Sequence, residues 1–93
     1  MRKLSDVEIQ RALGTLNGWS RRGDALVKTY TFARFADGIA FVDRAAKAAD
    51  DMNYHPDIDI RYTKITCTLP TYDAGGITQA DIDLAGKLES VAG

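Results

Sequence analysis

Two short segments in the second half of the chain alternate apolar and polar residues, and they restrict the possible folds. Over residues 57–62 the apolar positions are Ile58, Ile60 and Tyr62. Over residues 64–69 they are Ile65, Cys67 and Leu69. Successive side chains of a strand point to opposite faces of a sheet, so each segment predicts a strand with one buried and one solvated face. The two segments are expected to pair as an antiparallel hairpin with Tyr62 in the core and Cys67 as a buried, reduced thiol.

The first half of the chain predicts a second hairpin and a long helix. Residues 25–32 are rich in β-forming residues and follow the turn Gly23-Asp24, so they are expected to pair with residues 19–22. Two neighbouring apolar stripes at helical spacing predict the longest helix over Phe35–Met52. Pro56 disfavours helical backbone angles at the residue before it, so this helix is expected to end before His55.

Capping signals predict one helix near each end of the chain. Ser5 and Glu8 have the spacing of a capping box, and the helix that they begin is expected to end at Asn17-Gly18. Thr78 can cap a last helix that carries Asp81 in its first turn. The resulting order, α-β-β-α-β-β-α, predicts an α+β fold in which three helices pack on one face of a four-stranded antiparallel sheet.

Length and composition exclude several classes of protein. A chain of 93 residues has room for one core, so residues 1–93 are predicted to form a single domain. The net charge is −1 and basic residues form no stripe, which argues against direct nucleic-acid binding. No apolar run is long enough for a membrane span, and the first residues lack the apolar region of a signal peptide, so a cytoplasmic location is expected. One cysteine and one histidine are too few for a structural zinc site.

The residues alone offer few candidates for catalysis, and each has two interpretations. His55 is the one side chain that readily exchanges a proton near neutral pH, but it can equally be an ordinary surface histidine. Asp50 and Asp51 oppose the dipole of the long helix, which indicates either a binding role or a solvated helix end. The other candidates are paired carboxylates that also suit a solvated strand, and loop tyrosines that either donate hydrogen bonds or pack: Asp57, Asp59, Tyr54 and Tyr72.

A set of residues from Asp50 onward has the order and spacing of a known signature. It begins with Asp50, continues with Tyr54-His55-Pro56 and ends with Tyr62, Tyr72 and Asp81. In these residues the chain resembles the pterin-4a-carbinolamine dehydratase family. The pair Gly18-Trp19 and residues 32–35 and 76–85 are similar to the family as well, so the resemblance covers essentially the whole chain. Tyr54 and Tyr72 depart from the signature, because both stand where the family has histidines.

The resemblance implies a hydro-lyase that dehydrates 4a-hydroxytetrahydropterins, such as 4a-hydroxytetrahydrobiopterin, to quinonoid dihydropterins in tetrahydrobiopterin recycling. No metal or organic cofactor is implied. The catalytic residues carried over to this chain are His55, Tyr54 and Tyr72. The substrate-binding residues carried over are Asp50, Asn53, Tyr54, His55, Pro70, Thr71, Tyr72 and Asp81. Asp81 is expected either to orient the site or to cap its helix.

The two tyrosines at histidine positions support a second hypothesis. The chain would then be a weak or inactive family member that acts as a dimerisation or enzyme-assembly factor with a protein partner, as some relatives of the family do. Under either hypothesis the resemblance implies a homodimer or a homotetramer, while charge and hydropathy argue against a membrane and against a direct nucleic-acid partner.

Overall fold

The computed structural model describes residues 2–70 and 75–92. Along them the elements are α1 (Asp6–Leu13), β1 (Ser20–Arg22), β2 (Ala25–Thr31), α2 (Phe35–Met52), β3 (Asp57–Arg61), β4 (Lys64–Pro70) and α3 (Gln79–Ala92). The strands form one antiparallel sheet in the order β1-β2-β4-β3. The predicted element order and the α+β class are therefore confirmed. No helix within the described ranges is long and apolar enough to cross a membrane.

The register of the sheet separates a buried face from a solvated one. Leu26 pairs with Leu69 on the buried face, where Ile65 and Cys67 also have no exposed surface. On the opposite face the hydroxyls of Thr29 and Thr66 lie 2.8 Å apart. The alternation predicted for β4 is thus confirmed, and burial raises the pKa of the Cys67 thiol to about 11.

Helix α2 lies across the buried face because its apolar stripe carries small residues. Phe41 and Ala45 have no exposed surface. A Cβ atom at Gly38 would lie 3.3 Å from Cδ1 of Ile65, so the missing side chain allows the helix to approach β4 closely. Helix α3 packs beside α2 and adds Leu84 and Leu88 to the same core.

Helix α1 ends earlier than the sequence predicted. Its capping box is present: Ser5 Oγ accepts from the Glu8 amide at 3.2 Å, and Glu8 Oε1 accepts from the Ser5 amide at 2.8 Å. The helix ends at Leu13, however, because Gly14 favours a helix end. Tighter turns follow over residues 14–18, so the predicted end at Asn17-Gly18 is wrong.

The prediction that Tyr62 belongs to the core is also wrong. The chain reverses at this residue, which adopts the left-handed φ of 53° and is 74% exposed. Ile60, the preceding apolar position of β3, is 43% exposed. Among the described strands β3 pairs with β4 alone and lies at the edge of the sheet, so its alternating pattern continues past the part of the strand that the core covers.

A carboxylate near the end of α3 joins that helix to the first hairpin. Oε1 of Glu89 accepts from Lys28 Nζ at 2.5 Å, from the Tyr30 hydroxyl at 2.5 Å and from Trp19 Nε1 at 3.0 Å. Burial acts to raise the pKa of Glu89, but the hydrogen bonds and the charge of Lys28 outweigh it, and the pKa is lowered. Burial and the bond to Glu89 together raise the pKa of Tyr30.

We expect Glu89→Gln to lower the free energy of unfolding at neutral pH by about 1–3 kcal/mol, because the amide leaves Lys28 without a charged partner. Urea denaturation followed by circular dichroism measures this difference. A carboxylate with a lowered folded-state pKa stabilises the fold above its unfolded value of 4.5, and this contribution is lost as the pH falls through the folded value. The difference between variant and wild type should therefore shrink below about pH 4.5.

Asp83→Asn is the matched control, since Asp83 is exposed on the same helix and accepts a hydrogen bond from Gln79 in the first turn of that helix. Equal stability of Glu89→Gln and wild type at neutral pH would contradict the role given to Glu89.

Candidate functional site

The end of α2 places the central residues of the candidate site. Asn53 adopts a left-handed conformation, with φ 51° and ψ 40°, which asparagine tolerates better than most residues. The Asn53 amide donates to the Asp50 carbonyl at 3.0 Å, and the Tyr54 amide donates to the Ala49 carbonyl at 3.0 Å. The helix thus ends before His55, as Pro56 predicted, and Tyr54 and His55 follow in an irregular segment before β3.

Tyr54 turns towards the core and contacts the start of α3. Its ring packs against the hydrophobic core, and its hydroxyl donates a hydrogen bond to Oδ1 of Asp81, which is fully buried. The other carboxylate oxygen, Oδ2, accepts from the backbone amide of Thr78 at 2.8 Å. Asp81 therefore contacts both the residue before its own helix and Tyr54, so the capping contact and the site contact coexist.

His55 lies on the solvent side of the same segment. Its side chain is 65% exposed, and its Nε2 lies 2.9 Å from Oδ1 of Asp50. A carboxylate only accepts hydrogen bonds, so this contact assigns a hydrogen to Nε2 and leaves Nδ1 with the lone pair when the ring is neutral. Asp50 thereby orients the imidazole towards proton transfer at Nδ1.

The structure brings predicted site residues together in two pairs. His55 contacts Asp50 at the end of α2, and Tyr54, from the same irregular segment, contacts Asp81 of α3. Thr71 and Tyr72 lie outside the described residues, so the expected proximity of Tyr54 to Tyr72 stays a prediction. Pro70 is the last residue of β4.

Asp51 and the paired strand carboxylates are solvent-exposed. Asp57 and Asp59 are exposed along β3, and Asp59 pairs with Arg61 Nε at 3.0 Å. Asp51 is exposed at the groove between α2 and α3. The solvated interpretation of Asp59 is therefore the one that the structure favours.

Apart from the place of both residues in the signature, no sequence pattern indicated the contact between Tyr54 and Asp81. The spacing of Thr78 and Asp81 indicated a helix start, and the structure shows that contact. Nothing local connects Tyr54 with a residue so far along the chain, because the contact depends on how α2 and α3 pack.

The arrangement can support acid–base chemistry. An imidazole can act as a general acid or base, and the contact with the Asp50 carboxylate orients the ring of His55. The single hydroxyl proton of Tyr54 is directed at Asp81, so its oxygen can accept a hydrogen bond from a ligand. The site thus offers one proton-transfer group and one oriented hydrogen-bonding group.

Comparison with known proteins shows the family of the chain. The family described as pterin 4 alpha carbinolamine dehydratase matches residues 2–91. A Thermomicrobium roseum protein, provisionally named a pterin-4-alpha-carbinolamine dehydratase, is 48% identical over 92 residues, which are 99% of each chain.

Two solved structures share the fold. A transcriptional coactivator/pterin dehydratase from Brucella melitensis matches with a TM-score of 0.95 at 30% identity, over 99% of this chain and 100% of that one. A pterin dehydratase-like protein identified as a RuBisCO assembly factor in the alpha-carboxysome matches with a TM-score of 0.68 at 24% identity, over 81% and 87% of the two chains. From the match over residues 2–91 and the close relatives, the chain belongs to the pterin 4 alpha carbinolamine dehydratase family.

Proposed function

We propose that this chain is a hydro-lyase that dehydrates a 4a-hydroxytetrahydropterin to a quinonoid dihydropterin. The observations that carry the proposal are the pairing of His55 with Asp50 and the pairing of Tyr54 with Asp81, on two consecutive residues of the signature. Membership of the family supports pterin chemistry, and these two pairs supply groups that the reaction needs.

The reaction removes one water molecule from the substrate. The bond between C4a and the hydroxyl oxygen breaks while the N5 lone pair forms a double bond to C4a. The departing oxygen takes up one proton, and N5 loses one proton. Catalysis therefore requires a proton donor for the oxygen and a proton acceptor for N5, while the electron push from N5 assists the departure of the hydroxyl.

His55 is the group that we assign to proton transfer. Its Nδ1 takes the N5 proton, and Asp50, 2.9 Å from Nε2, stabilises the resulting imidazolium. The imidazolium can then return a proton to the departing hydroxide, so the enzyme ends the cycle unchanged. A positioned general acid or base of this kind is worth roughly 10²–10⁴ in rate.

Tyr54 is assigned to substrate positioning. Phenols ionise near pH ~10, so a tyrosine is a poor base at neutral pH. With its proton directed at Asp81, the Tyr54 oxygen accepts a hydrogen bond from the 4a-hydroxyl or from a ring N–H of the pterin. We assign Asn53, Pro70, Thr71 and Tyr72 to pterin binding on their signature positions alone, and Tyr72 also to hydrogen bonding at the hydroxyl.

We expect His55→Ala to reduce the catalysed rate by roughly 10²–10⁴, to near the uncatalysed rate, because the proton-transfer group is lost. The assay follows dehydration of freshly generated 4a-hydroxytetrahydropterin against the reaction without protein. Because His55 is exposed, circular dichroism should show an intact fold. Asp59→Ala, an exposed substitution on β3, is the control and should keep wild-type activity. Wild-type activity in His55→Ala would refute the assignment.

We expect Tyr54→Phe and Asp81→Asn to be coupled, because each removes one side of the same hydrogen bond. Their effects on the free energy of unfolding should miss additivity by about 0.5–3 kcal/mol in a double-mutant cycle. Tyr54→Phe should also lower the catalysed rate, since the ligand loses its contact with the hydroxyl. Tyr62→Phe removes a hydroxyl from an exposed tyrosine and should change neither quantity. Additive effects of the two site substitutions would show that the contact is energetically unimportant.

A second candidate function is a dimerisation or enzyme-assembly factor. It is favoured by the presence of a single histidine at the signature, with Tyr54 and Tyr72 at the other two histidine positions. If folded wild-type protein gives no acceleration even at high concentration, the dehydratase proposal fails and this candidate takes its place. The homodimer or homotetramer and the cytoplasmic location stay predictions, and light scattering of the purified protein tests the first.

A further inference from the structure

A groove between α2 and α3 gathers positively charged side chains outside the candidate site. Its volume is about 290 Å³. The lining residues are Arg44, Lys47, Ala48 and Asp51 from α2, and Lys87, Ser90 and Val91 from α3. None of them belongs to the set of predicted pterin-site residues, so the groove requires its own explanation.

The groove is positively charged although the chain is slightly acidic. Its three cations and one carboxylate sum to +2, whereas the whole chain has a net charge of −1. Within residues 2–70 and 75–92, Arg44, Lys47 and Lys87 take part in no ion pair. Lys28 on β2, by contrast, is paired with Glu89.

Contacts within the groove leave most of this positive charge available. Arg44 Nε donates to the Val91 carbonyl at 2.7 Å, which satisfies an acceptor in the last turn of α3 and fixes the guanidinium at the rim. The ammonium groups of Lys47 and Lys87 have no hydrogen-bond partner in the described ranges. The hydrogen bond to Val91 uses only the Nε–H of Arg44. The remaining N–H groups of Arg44 and the ammonium groups of both lysines can therefore bind a ligand.

We propose that this groove binds an oxyanion, namely the phosphate or carboxylate group of a small molecule. A guanidinium held at one nitrogen still presents N–H groups in the fork geometry that suits such anions, and the two lysines add charge from both helices. Ala48 and Val91 provide an apolar surface for the body of the ligand. The volume lies near the lower end of small-molecule sites, which fits a compact anion.

The experiment is an NMR titration of the full chain with inorganic phosphate and, separately, with acetate, at constant ionic strength. Saturable shifts should appear at the amides of residues 44–51 and 87–91. A stronger response to phosphate than to acetate assigns the phosphate group, and the reverse order assigns the carboxylate. The absence of saturable shifts there with both anions overturns the proposal.

Two variants and one control test which side chains of the groove bind the anion. Lys47→Met/Lys87→Met should weaken binding at least tenfold, whereas Lys64→Met, at an exposed cation on β4, should leave it unchanged. Asp51→Asn removes the one negative charge of the groove and should tighten binding about twofold or more. Unchanged affinity in the double variant would overturn the proposal, and so would weaker binding in Asp51→Asn.

Discussion

The buried carboxylate of Asp81 contributes both to the packing of α3 and to the candidate site. An ionised carboxylate without partners is costly to bury, and this one accepts from the Tyr54 hydroxyl and from the Thr78 amide. The first contact connects the end of α2 with α3, and the second connects α3 with the residue before it. The position of Tyr54 therefore depends on the same group that organises the start of α3, so site geometry and helix packing cannot vary independently.

Tyr54 and His55 are neighbours in sequence but occupy opposite environments. Tyr54 is partly buried and held by Asp81, while His55 is exposed and held by Asp50. The left-handed turn at Asn53 makes this possible, because it ends α2 before the two side chains diverge. In the function proposed above, Tyr54 supplies hydrogen bonding to the pterin and His55 supplies proton transfer.

Sequence patterns predicted the elements whose signals are local. The bounds of α2, the alternation of β4 and the capping box of Ser5 are correct because each depends on neighbouring residues. Tyr62 was predicted wrongly, since periodicity does not show where an edge strand leaves the core. The contacts of Asp81 with Tyr54 and of Glu89 with the first hairpin were not predictable, because both join residues far apart in sequence. Pro56 correctly predicted that α2 ends before His55, but no pattern predicted the contact of His55 with Asp50.

The cluster around Glu89 has a spectroscopic consequence. Trp19 is the only tryptophan of the chain, and its indole N–H donates to Glu89 on the last turns of α3. Asp81 lies in the first turn of the same helix, so α3 is held by a carboxylate near each end. Indole emission responds to the polarity and the hydrogen bonding of the ring. The native protein therefore carries an intrinsic optical reporter of whether the far end of α3 is docked, without any introduced label.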